Sequence, residues 1–158
     1  MLKYMGLALI FAVCVLVGQE ASAISRRQLR MTEAFISLLT YIKGQIEFFS
    51  APLAEIYGSF ANKTLENCRF ASVLRKEGLT VALDEIRPSL PPDVYDSLVT
   101  FASGLGKSVK QSQLDLCEYH IEALHTSYIE QKEALPKKAR LYTSLSVMAG
   151  LTAVIILL

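Results

Sequence analysis

FISLLTYIKGQIEFFSAPLAEIYGSF, from Phe35 to Phe60, is the stretch that decides the fold. Phe35, Leu39, Ile42, Ile46, Phe49, Leu53, Ile56 and Phe60 recur at spacings of 4, 3, 4, 3, 4, 3 and 4. An apolar seam of period 3.5 is the mark of long packed helices. Arg30, Glu33, Lys43 and Glu47 lie off the seam, and Lys43 with Glu47 makes an i,i+4 pair. Such a pair is worth a few tenths of a kcal/mol on an exposed face. Pro52 interrupts the run. Ser50 is placed to cap a new helix with Ala51 and Pro52 in its first turn, where a missing N–H does no harm. The seam therefore continues across a kink or a restart.

Downstream the pattern stays helical. One segment runs from Thr64 to Gly78, a residue suited to a left-handed C-cap. Thr80 opens a short helix that cannot pass Pro88. Pro91-Pro92-Asp93 breaks the chain and starts the next helix, in which Val94, Leu98, Phe101 and Leu105 repeat at 4, 3, 4. Gly104 and Gly106 end it and Ser108 is placed to cap its successor. Leu114, Cys117, Ile121, Leu124 and Tyr128 continue at 3, 4, 3, 4, with Leu135 in phase. Pro136 is expected to kink this last helix or to end it. No segment alternates with period 2, so the expected class is all-α, a compact antiparallel helical bundle.

Two uncharged runs frame the bundle. Tyr4 to Gly18 is fifteen residues long and includes Cys14, and Leu141 to Leu158 is eighteen. A spanning helix takes about 20 residues, within roughly 17–25. The second run fits, and the first fits with its neighbours included. Arg26, Arg27 and Arg30 follow the first run, and Lys132, Lys137, Lys138 and Arg140 precede the second. Lysine and arginine collect on cytoplasmic flanks. The expected layout is a membrane helix at 1–20, a cytoplasmic helical domain at 24–138 and a second membrane helix at 141–158. Lys3, the apolar run and Ala21-Ser22-Ala23 also fit a cleavable signal peptide with an A-x-A site. That alternative gives an exported, tail-anchored helical interaction protein.

The composition agrees with a membrane-associated helical chain. Its 158 residues are 52% hydrophobic, and the mean hydropathy is +0.35. Intrinsic disorder would need low hydrophobicity and a high net charge. The net charge is +1, with no basic excess to displace counterions from nucleic acid. Three cysteines make no disulfide scaffold.

Chemistry-bearing motifs are few. Gly104-Leu105-Gly106-Lys107-Ser108 resembles the tail of a phosphate-binding loop, but that template needs a glycine where Phe101 stands, and a preceding strand. Helix caps explain these residues. Cys117, His120 and Cys68 could be written as three soft metal ligands. Cys117, however, lies in the apolar seam, and His120 and His125 do not share a helix face. No catalytic, metal or cofactor residues are assigned. Asp115, Glu118 and Glu122 form an acidic stripe at 3 and 4, either a solvated face or a dock for a basic partner. Arg26, Arg27 and Arg30 suit anionic lipid headgroups.

Taken in order, these features resemble the stage III sporulation protein AB family over nearly the whole chain. The resemblance rests on Gln28-Leu29-Arg30, on Ile46-Glu47-Phe48-Phe49-Ser50-Ala51-Pro52-Leu53, and on Leu105-Gly106 followed by Gln111 and Gln113. The basic-then-apolar tail from Lys138 to Leu158 completes it. Lys107, Val109 and Lys110 stand where the family usually has an acid after the Leu-Gly pair, and Ser144-Leu145-Ser146 replaces a Leu-Gly element.

The resemblance implies a fold like the helical domain of the type II secretion F platform protein. It implies a non-enzymatic part of the mother-cell complex that connects with the forespore in endospore formation. The implied partners are a cytoplasmic secretion-type ATPase, stage III sporulation protein AA, other stage III sporulation A proteins, and membrane lipid. A homo-oligomer is compatible with it.

Overall fold

A computed structural model describes the backbone of residues 2–49 and 52–157. Side chains are described for residues 23–49 and 52–137, and beyond these for residues 140, 141, 144, 145, 147, 148 and 152. The side chains of the expected first membrane helix, Cys14 among them, the Ser50 cap and the Lys138 side chain lie outside the described residues. Among those that are described, no helix is long and apolar enough to cross a membrane.

The described chain is helical and contains no strand. Helix α1 is Leu2–Gly44, and a π-helical turn comes after it at Gln45–Phe49. Four short helices come next: α2 Leu53–Ser59, α3 Lys63–Glu66, α4 Phe70–Glu77 and α5 Leu79–Ile86. A 3₁₀ turn at Arg87–Ser89 leads to α6, Pro92–Gly104, and then to α7, Lys110–Leu157. Residues 1–27 with 130–158 form one compact unit, and residues 28–129 form another.

The 28–129 unit has a continuous apolar core. Met31, Ala34, Phe35, Leu38, Leu39, Ile42 and Ile46 are buried in it. This stripe is wider than the seam read from the sequence, because short helices cover α1 from more than one side. Phe35 meets Phe70 edge to face with ring centroids 5.1 Å apart, tying α1 to α4. Tyr41 packs on Phe60 at 5.4 Å. Val94, Leu98 and Phe101 of α6 are buried with Leu105 as their spacing requires, and so are Cys117 and Leu124 of α7.

Helix α1 runs antiparallel to α7 within this unit. Lys43 Nζ reaches Glu118 Oε2 at 3.2 Å, and Lys110 Nζ donates to the Glu47 carbonyl at 2.7 Å. Lys43 thus takes a partner across the bundle rather than Glu47 nearby in the chain. A local i,i+4 reading carries no information about a group 75 residues away.

The breaks reflect local chemistry. Pro52 precedes α2, and its carbonyl accepts from the Glu55 and Ile56 amides at 3.0 and 3.2 Å. The expected segment from Thr64 to Gly78 is split into α3 and α4. Asn62 caps α3 by accepting from the Thr64 amide at 2.9 Å. Arg69 then adopts φ 61° and turns the chain into α4. Nothing in its side chain signals this, since non-glycine residues rarely enter the left-handed region. Gly78 has φ 89° as a glycine C-cap allows, but its ψ of 179° sends the chain straight into α5.

Tyr95 Oη donates to Asp84 Oδ1 at 2.5 Å while the Arg87 guanidinium lies 5.2 Å from the Tyr95 ring centroid. Donating to the Asp84 carboxylate holds the Tyr95 hydroxyl above its usual pKa. Helix α7 begins at Lys110, one residue later than a Ser108 cap would place it, and Ser108 supplies its carbonyl to Gln113 Nε2 at 2.7 Å. The helix passes through Pro136 without ending there.

Candidate functional site

Helix α7 has a wet and a dry side within the 28–129 unit. Cys117, His120 and Leu124 are buried, whereas Asp115, Glu118 and Glu122 are exposed. The three acids keep the common face that their spacing requires. They are not equally free to receive a partner. The Glu118 carboxylate is held by Lys43, and Asp115 Oδ1 accepts from Gln111 Nε2 at 3.0 Å one turn back. Both contacts are solvent-exposed, so each is worth at most about 1 kcal/mol and yields to a better-placed cation. Tyr119, 69% exposed, stands beside Glu118 and adds an aromatic surface that the charge pattern did not reveal.

Arg26, Arg27 and Arg30 lie around the boundary at residues 27 and 28, and Lys137 and Arg140 lie seven and ten residues past Glu130. Arg26, Arg27, Arg30, Lys137 and Arg140 have exposed or half-exposed side chains. Arg30 lies in the 28–129 unit and the others in the unit formed by 1–27 and 130–158. Arg26 and Arg30 are one helical turn apart, as are Lys137 and Arg140. Like charges at this spacing repel, so each pair gains from an anion placed against it.

The soft-ligand trio is not gathered. Cys68 Sγ lies 3.8 Å from Met31 Sδ, and Cys117 is enclosed in the core. Burial pushes the Cys117 thiol up to about 11, which leaves it an inert apolar filler. His120 has a different role that sequence reasoning missed. Its Nδ1 is 2.9 Å from Ser97 Oγ on α6, and its ring stands edge-on to Phe101 at 5.6 Å and to Tyr119 at 5.1 Å. Burial lowers its pKa below the usual 6.5. Ser and His at this distance can be nucleophile and base. Here the imidazole is only 4% exposed and wedged between two rings, so the pair staples α6 to α7. The signal was available: position 120 lies three after Cys117 and four before Leu124, on their face of the helix, although the seam read from the sequence takes Ile121.

The glycines of Gly104-Leu105-Gly106 are also explained by packing. A Cβ on Gly104 would stand 3.0 Å from Leu116 Cδ2, and one on Gly106 3.1 Å from Leu53 Cδ1. Gly106 also has φ 79°. An α-helix, not a strand, leads into this turn. The described surface of α7 carries acidic side chains and the exposed Tyr119 ring.

Comparison with curated proteins and with solved structures gives no match. A family model for stage III sporulation protein AB matches residues 3–158. The match takes in the helical core, the α7 acidic face and nearly all of both chain ends, so the chain belongs to the stage III sporulation protein AB family.

Proposed function

We propose that this chain is a non-catalytic platform and coupling component of the secretion-like channel complex between mother cell and forespore. In this reading two membrane helices, at 1–20 and 141–158, hold it in the mother-cell membrane around the forespore. The helical domain between them lies in the cytoplasm and engages a secretion-type ATPase, stage III sporulation protein AA, along with other stage III sporulation A proteins. The fold would be of the type II secretion F kind.

The observation that carries the reading is the pairing of the two chain ends. Residues 1–27 and 130–158 contain both long apolar runs and form one unit, separate from the 28–129 core. Two membrane helices of one hairpin would associate in this way. Arg26, Arg27, Lys137 and Arg140 lie at the inner ends of these stretches, as cytoplasmic flanks would. Exposed Leu141, Leu145 and Met148 come next at spacings of 4 and 3, an apolar row suited to lipid. Family membership supports the sporulation role.

The α7 acids supply the dock for a basic surface of the ATPase. Glu122→Lys should reduce co-purification of the ATPase with the full chain about tenfold, and Glu118→Lys with Glu122→Lys should reduce it further. Unchanged recovery, with the helical content intact by circular dichroism, would count against this face as the dock.

A further inference from the structure

The 28–129 unit presents its most exposed apolar side chains at one end. Phe48 is 74% exposed, Phe49 72% and Val109 74%. They belong to segments about 60 residues apart in sequence that are tied together there. Lys110, the neighbour of Val109, donates to the carbonyl of Glu47, the neighbour of Phe48, at 2.7 Å. The exposure is built into the backbone. A regular helix would carry Phe49 round to the core after Ile46. The π turn takes in an extra residue and carries Phe49 off the seam, which the chain regains at Ile56. Turns of this kind are uncommon and recur at functional sites.

We propose that this end is a docking knob, with Phe48, Phe49 and Val109 inserting into an apolar cleft rimmed by carboxylates on a partner protein. Charge selects the rim. Lys107 and Lys110 are exposed on either side of Ser108 and Val109, and Glu47 is the acid next to Phe48. A second copy of the chain is a poor occupant. It would set lysines against lysines. The knob is opposite in charge to the α7 acidic face, so it selects a different partner surface. The inference holds whichever side of the membrane the unit occupies.

The test uses the full chain at its native level in sporulating cells. p-Benzoylphenylalanine replaces Phe48, Phe49 or Val109 in turn, with Glu85 of α5 as the control position. After irradiation, cross-linked peptides are sequenced by mass spectrometry. The expected result is one protein segment captured from all three tip positions, apolar at the adduct and flanked by Asp or Glu. Its yield should fall about tenfold when Lys107→Glu and Lys110→Glu are added. The proposal is overturned by adducts to this chain's own peptides, to lipid, or to a segment without carboxylates. Tip yields no higher than at Glu85, or yields indifferent to the lysine exchange, overturn it equally.

Discussion

Gly106 and His120 show how much a single position carries. At Gly106 the backbone has φ 79° and Leu53 Cδ1 would lie 3.1 Å from a new Cβ. Gly106→Ala should therefore destabilise the protein by about 1–2 kcal/mol, read as a lower denaturant midpoint in detergent. His120 makes the core sensitive to acid. Burial holds its folded pKa below 6.5, so the unfolded chain takes up the proton first. Stability is fully present above about pH 6.5 and is lost as pH falls through the folded value. The denaturation midpoint should begin to drop as pH falls below about 6.5, and His120→Gln should flatten that slope. A slope unchanged in the variant would assign the acid sensitivity to other groups. Gly106 was legible as a turn glycine from sequence alone, whereas its approach to Leu53 depends on packing between segments far apart in the chain. His120 shares a helix face with Cys117 and Leu124, whereas the seam read from the sequence passes through Ile121, which is only half-buried. The His120 bond to Ser97 was not legible, because nothing local specifies which helix covers α7.

Among the elements, the π turn separates pattern from structure most clearly. The seam from Phe35 to Ile46 and the repeats of α6 and α7 were readable because period-3.5 burial is a property of each helix alone. Phe49 fits the same pattern and is exposed, because the extra residue in the turn changes the phase while the spacing in the sequence does not. The left-handed turn at Arg69 was hidden for a similar reason: tertiary packing overrides what its side chain prefers. The two kinds of phenylalanine should respond differently to truncation. Phe101→Ala removes a fully buried ring and should cost about 3–5 kcal/mol. Phe48→Ser and Phe49→Ser should stay within about 0.5 kcal/mol of the parent. Equal losses at the two kinds of site would mean that Phe48 and Phe49 pack into the core. On α7 the acidic stripe was legible in full, but not the engagement of Glu118 by Lys43. Glu122, whose side chain is exposed, is thus the better single site for reversing charge.

At the scale of the whole molecule, the chain's two apolar ends belong together and its helical middle stands as a unit of its own. The proposed platform role depends on where that middle lies, and the basic flanks argue for the cytoplasm. The most direct measurement combines topology with the state of the N-terminus. Arg27→Cys and Lys137→Cys are introduced singly into a chain whose native cysteines are replaced, and intact cells are treated with a membrane-impermeant thiol reagent. The mature N-terminus is then read by mass spectrometry. Protection of both sites, with Met1 or Leu2 retained, is the expected result and puts the α7 acidic face within reach of a cytoplasmic ATPase. Labelling at both sites, with the chain beginning at Ile24, would contradict it: the first segment would be a cleaved signal peptide and the coupling role would fall.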